Sequence, residues 1–199
     1  MIKKILLLLL TFSLLSSSEE FKSIKSAYFK SYDYEQVGQY KEAIKTLSPL
    51  YTKYPKGYTL NLRLGWLFYL QKNYNNAMKH YKTASLINTQ ALEPKLGLIR
   101  VYLATYSYEE AQNVTTELLK IDYYNYYANL YMTKALIAQK KHEIAIKVSK
   151  KMLSLYPTDT LFLEQLLISY KATKSKYYKD VYESILILDP NNVLARSNP

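Results

Sequence analysis

Few residues in this chain have the types and spacing that catalysis requires. His80 and His142 are the only histidines, and cysteine is absent. No carboxylate spacing joins the two histidines. The missing thiols remove disulfides, zinc thiolates and thiol nucleophiles. Glu19-Glu20 and Glu109-Glu110 are adjacent acids, but each pair sits at an expected helix start, where acids complement the dipole. There is no glycine-rich phosphate loop and no nucleophile motif. Asn113-Val114-Thr115 matches a glycosylation acceptor in pattern only, on an expected packed helix. Catalysis, metal binding and a cofactor are therefore not expected.

What remains is the chemistry of surfaces. The chain has 23 tyrosines and one tryptophan, and these rings supply contact area at low entropic cost. It also carries a net charge of +11, mostly from lysine. Lys140, Lys141, Lys147, Lys150 and Lys151 gather in one segment, and Lys171, Lys174, Lys176 and Lys179 follow. This pattern predicts either a solvated face or a basic surface for an acidic protein, anionic lipid headgroups or cell-wall polymer. Nucleic acid is disfavoured, because only Arg63, Arg100 and Arg196 are available for bidentate contacts.

The elements that position these residues follow from apolar spacing. Leu64 and Phe68 are four apart and share a helix face. Gln71-Lys72-Asn73 is a polar interruption that fits a short turn. Tyr74, Ala77, Tyr81 and Ala84 then form a second helical stripe, with two alanines small enough for close packing. The same phase recurs: Ala43, Ala77, Ala111 and Ala145 are each 34 residues apart, as are Tyr40, Tyr74, Tyr108 and His142. Unrelated helices have no reason to hold one phase over four units.

The stretch Tyr58–Ala91, with Leu64-Gly65, Phe68, Tyr74, Ala77, Tyr81 and Ala84, resembles the tetratricopeptide repeat, a unit of about 34 residues. The resemblance implies an all-α, right-handed superhelical solenoid of about five helix–turn–helix repeats. Their expected bounds are 24–57, 58–91, 92–125, 126–159 and 160–192, in a single array over 19–199. Pro49 predicts a kink in the second helix. Ile99 replaces the small residue Gly65, so the third helix pair is expected to sit further apart or shift in register. Pro190 arrives one residue early, which predicts a shorter turn near Thr173–Lys176. Residues 1–18 resemble a secretory signal peptide: Lys3 and Lys4, an apolar run from Ile5 to Leu15, then three serines. Cleavage would take the charge from +11 to +9, since that segment carries two lysines. Export to a periplasm is expected, with an uncleaved membrane anchor as the alternative.

The resemblance also implies where a partner sits. In that family the first helix of each repeat lines a concave groove through its second, fifth, ninth and twelfth positions. Mapped here, repeat one offers Tyr28 and Tyr32, together with Lys25 and Glu35. Repeat two offers Leu62, Trp66 and Tyr69. Repeats three and four offer Leu96, Arg100, Tyr127, Leu130 and Lys134. The lysines and asparagines with which the family's chaperone-tail binders clamp a terminal carboxylate are missing at the corresponding positions. An apolar, aromatic groove of this kind suits an amphipathic helix or extended peptide of another protein. Packing of Leu62, Leu96, Leu130 and Trp66 against neighbouring helices is the competing reading.

Overall fold

The computed structural model describes residues 2–197, with side chains from Glu19 onward, so the leader-like segment 1–18 lies outside the residues whose side chains are described. Among the described residues there are eleven helices and no strand. None of these helices is long and apolar enough to cross a membrane. The chain divides into two compact units, Met1–Asn88 and Thr89–Pro199.

The first unit contains α1 (Ile2–Gln36), α2 (Tyr40–Lys53), α3 (Tyr58–Leu70) and α4 (Tyr74–Ile87). Its second helices bury narrow stripes, with Ala43 and Leu47 in α2 and Ala77, His80, Tyr81 and Ala84 in α4. Helix α3 is buried on several sides, through Leu60, Asn61, Arg63, Leu64, Gly65 and Leu67. This difference is what stacked pairs require: the first helix packs between second helices, while the second keeps a solvent face. Helix α2 runs on through Pro49 to Lys53. Gly65 marks the closest approach, since a Cβ there would lie 2.8 Å from the Tyr81 ring.

The second unit contains α5 (Glu93–Ala104), α6 (Tyr108–Ile121), α7 (Tyr126–Ala138), α8 (His142–Leu153), α9 (Thr160–Ala172), α10 (Tyr178–Leu188) and α11 (Val193–Arg196). Ile99 is fully buried with Ala111, Leu118, Ala128 and Ala135. Further along, Leu166, Leu167, Val181, Ile185 and Ala195 form the last core cluster. Helix α11 is short, yet Ala195 in it is fully buried.

The turns repeat more faithfully than the side chains. Gly38, Lys72, Tyr106, Lys140 and Lys174 all have positive φ, between 52° and 74°. Each lies 34 residues after the one before. The residue after each donates its N–H five residues back, as Asn73 does to Phe68 O at 2.9 Å and Lys141 to Leu136 O at 2.8 Å. These are helix C-terminal caps of the left-handed type that glycine favours. Only the first uses glycine; the other four hold L side chains there, at roughly 1 kcal/mol each.

Three of the first helices, α3, α5 and α7, also share a clamp. Asn61 Nδ2 donates to Pro55 O and Gly57 O at 2.8 and 2.9 Å. Asn129 Nδ2 does the same to Tyr123 O and Asn125 O at 3.1 and 2.9 Å. At the intervening phase Lys95 Nζ reaches Thr89 O and Ala91 O. Each clamp satisfies loop carbonyls that packing would otherwise strand.

The last pair corrects one expectation. The turn near Thr173–Lys176 is longer than the others, not shorter, because α9 ends at Ala172 and α10 begins at Tyr178. The phase holds through Lys174 and Ser175, whose N–H donates to Tyr170 O at 2.9 Å. Two extra residues then enter. Without them Lys179 would take the buried place that alanine holds in α2, α4, α6 and α8, and an unpaired ammonium there is costly. The shift puts Val181 in the core and leaves Lys179 exposed. Helix α10 stops early, at Leu188, and Asn192 caps α11 by accepting from Ala195 N at 3.0 Å.

Candidate functional site

In the first unit, α1 and α3 form the walls of a cleft of about 960 Å³. Tyr28, Tyr32 and Gln36 come from α1, and Thr59, Leu62, Trp66 and Leu70 from α3. The heptad-like spacing of these residues on each helix gives the cleft its rings and alkyl chains. Four of the sequence-predicted site residues therefore converge here: Tyr28, Tyr32, Leu62 and Trp66. Tyr32 is 48% exposed, while the other three are half-buried. Tyr69 is outside the cleft lining, but its ring stacks on Trp66 with centroids 5.7 Å apart.

The floor is polar and tied together by internal hydrogen bonds, with Arg63 Nε alone left without a partner. Glu35 accepts from Arg63 Nη1 through one oxygen and from Trp66 Nε1 through the other, the latter at 2.6 Å. Arg63 is only 7% exposed, and its guanidinium lies 3.8 Å from the Tyr32 ring centroid. Its Nη2 also donates to Ser31 Oγ at 3.3 Å. Tyr28 and Thr59 are joined through their hydroxyls at 3.3 Å. This network fixes the indole and two tyrosine rings before anything binds, which lowers the entropic cost of binding. With the charge of Glu35 spent on Arg63, the cleft offers rings, alkyl chains and phenol hydroxyls. Sequence spacing alone did not single out Arg63. Its partner is 28 residues away, and the cue available was an arginine, rare in this chain, on the inner helix of a repeat.

Behind α3 lies a second buried polar group. His80 Nδ1 is 2.9 Å from Asn61 Oδ1. Because Asn61 Nδ2 already serves two carbonyls, its oxygen must face the ring, and the imidazole must donate from Nδ1. His80 stacks on Phe68 at 5.3 Å and meets the edge of Tyr51 at 5.0 Å. Burial, and secondarily the Lys79 charge, push its pKa down to about 4. It is a neutral core residue. Tyr126, half-buried, donates to Asp159 Oδ2 at 2.7 Å; partial burial first, and then that bond, raise its pKa.

The remaining predicted groove residues belong to the second unit. Leu96 and Arg100 are half-buried, Tyr127 is 55% exposed and Lys134 is exposed. Leu130 is corrected: it is 3% exposed and packs with Met152 and Phe162, so it has no surface to offer a partner. Its position on α7 faces both α8 and α9, which close over it.

Of the lysines predicted as a basic surface, Lys140, Lys141, Lys147, Lys150 and Lys174 are exposed, and Lys151 is half-buried. Several are already engaged. Lys151 Nζ lies 3.9 Å from the Tyr123 ring centroid and donates to Tyr123 O at 3.2 Å. Lys150 sits over the Tyr170 and Tyr177 rings, at 5.8 and 5.7 Å. Lys141 Nζ reaches Gln112 Oε1 at 3.2 Å. Lys140 and Lys174 occupy the left-handed turn positions.

No protein-family model and no curated protein matches the chain by sequence. Solved structures match it by fold. A tetratricopeptide repeat protein from Parabacteroides merdae superposes with a TM-score of 0.79 at 18% identity, covering 88% of this chain and 70% of that one. MamA from Desulfovibrio magneticus RS-1 gives 0.73 at 15% identity, covering 88% and 97%. YrrB, described as a tetratricopeptide protein with an unusual peptide-binding site, gives 0.72 at 11% identity, covering 92% and 95%. The chain has the tetratricopeptide-repeat fold.

Proposed function

We propose that this protein is a non-catalytic adaptor that holds a peptide or helix of another protein in the aromatic cleft between α1 and α3. The observation that carries this is the preset floor: Glu35 fixes both Arg63 and Trp66, and through them the rings that line the cleft. Fixed rings with an open, largely apolar mouth suit an aliphatic or aromatic anchor residue. The YrrB likeness supports a peptide as occupant in kind. The leader-like segment 1–18 supports export, with the adaptor acting at a cell envelope, and an uncleaved anchor would tether it there.

Trp66 is the only tryptophan, so its emission reports on the cleft directly. Peptides selected on the immobilised protein are expected to shift that emission on binding. Tyr32→Ala and Leu62→Ala should each weaken binding about tenfold, equivalent to about 1.4 kcal/mol, with melting temperatures close to the wild type. Selected peptides that bind without changing Trp66 emission, and bind both variants as well as wild type, would refute the cleft as the site. N-terminal sequencing of the native protein separates the exported form from the tethered one: an intact Met1 means the tether.

A second reading uses the lysines of α8, of the turn before it and of the turn after α9 to dock an acidic protein, lipid headgroups or wall polymer. Exposed Lys140, Lys147 and Lys174 support it. Association by that route should weaken steeply with salt, whereas cleft binding should not.

A further inference from the structure

The second unit repeats the arrangement around Asn61 but fills it differently. Asn129 lies two 34-residue steps after Asn61 and clamps its loop in the same way. Its side chain is fully buried, and its Oδ1 has no hydrogen-bond partner. The phase of His80 is held by Val148, that of Phe68 by Leu136, and that of Tyr51 by Leu119. Three rings have become three shorter aliphatic chains, and the donor that serves the asparagine in the first unit is gone. The result is a cleft of about 350 Å³ between α6, α7 and α8, whose lining includes Leu119, Asn129, Leu136 and Val148.

The same lining includes Lys147 and Lys151. Neither makes an ion pair among the described residues. Burial of Lys151 lowers its pKa, so an anion beside it would relieve an existing cost. The side of the cleft next to Asn129 is apolar, from Leu119, Leu136 and Val148, while Gln112, Tyr123 and the two lysines are also in its lining. A pocket of this size is at the lower end of small-molecule sites. Its one unpartnered acceptor, Asn129 Oδ1, is itself closed to solvent, so a ligand reaches it only by displacing a neighbouring side chain.

We propose that this cleft binds a small aromatic acid, its planar ring taking the space the His80 group fills in the first unit, its ring N–H donating to Asn129 Oδ1, and its carboxylate lying at Lys147 and Lys151. A ring without the donor would leave the buried oxygen unpaired, and such sites discriminate strongly. Met132 in the lining adapts to ring shape. The inference is independent of the cleft in the first unit.

The test titrates indole-3-acetate into the full chain, read by calorimetry and by saturation transfer to the ligand protons. Saturable binding with a Kd below about 1 mM is expected. The N-methyl analogue, which lacks the donor, should bind about tenfold more weakly or worse. Val148→His should place the chain's own imidazole against Asn129, abolish binding and raise the melting temperature. Lys151→Met should weaken binding several-fold while leaving the ring contact. If Val148→His does not fold, Leu136→Phe fills the same space and serves as the blocking variant. Failure of the wild type to saturate by about 10 mM would show that solvent alone occupies the cleft. Equal binding of the N-methyl analogue, or unchanged binding by the blocking variant, would equally overturn the proposal.

Discussion

The neighbourhoods of Asn61 and Asn129 are one design with two contents. Both asparagines clamp the loop before their helix with the same two bonds. Around Asn61 the space is closed by stacked rings and the acceptor is served by His80. Around Asn129 the space is lined by alkyl chains and the acceptor is left over. The first unit adds a further polar tie, the Glu35–Arg63–Trp66 network. Backbone phase is thus set by turns and alanines, which the repeats share. The contents of each interface are free to diverge, toward rigidity in one unit and toward an open cleft in the other.

The largest effect expected from breaking this contrast is at Glu35. Glu35→Ala leaves Arg63, 7% exposed, without its carboxylate. Removing one partner of a buried pair costs about 3–5 kcal/mol; with Glu35 itself partly exposed, the lower end is expected. Chemical denaturation should show that loss, and hydrogen exchange should place it in α1–α4, with α5–α10 protected as before. A double change, Glu35→Gln with Arg63→Met, removes both charges and should recover most of the stability. If exchange rises equally in both units, the contrast drawn here is wrong.

The next effect is at His80. Its pKa is about 4 in the folded chain against 6.5 for the free side chain. Between those values the unfolded chain binds more protons, so stability rises with pH across that window. The contribution is complete above about 6.5 and lost as pH falls towards 4, on the order of 3 kcal/mol in all. His80→Val gives the first unit the residue that the second has at the same phase. It should lower stability at neutral pH by about 2 kcal/mol, since it opens a cavity and orphans Asn61 Oδ1. It should also flatten the pH dependence between 4 and 6.5. A variant that keeps the wild-type slope would assign that slope to another group.

How much of this was legible in the sequence follows from what sets each feature. The phase was legible, because Ala43, Ala77, Ala111 and Ala145 pack at fixed contacts and tolerate no larger side chain. All four are fully buried. The turn of the last pair was misjudged because Pro190 reports on the end of the repeat, while the insertion was forced in the middle by Lys179. The inner-helix stripe found Tyr28, Tyr32, Leu62 and Trp66, since helical spacing fixes which side chains share a face. It erred at Leu130, because whether a stripe residue is exposed depends on neighbours hundreds of atoms away in sequence. Arg63 and Asn129 carry no local pattern, and Glu35, although on the groove stripe, gave no sign of its pairing with Arg63. Their roles arise from pairings across 28 residues, or from the lack of one, and only assembled helices reveal them.

The smallest effect tests what the two units share. Lys72 and Lys140 hold the same left-handed turn position, at φ 61° and 59°. Glycine at either site relieves the Cβ clash but adds backbone entropy to the unfolded chain. The net gain should be about 0.5–1 kcal/mol for each, and the two gains should match, because the turn and its return bond are alike in both units. The reverse change, Gly38→Lys, should cost a similar amount, since nothing lies near its missing Cβ and only the φ of 74° is at issue. Urea denaturation of the three variants decides it. Unequal gains at Lys72 and Lys140 would mean that the contents of each interface reach the turns, and that phase and content are not separable in this chain.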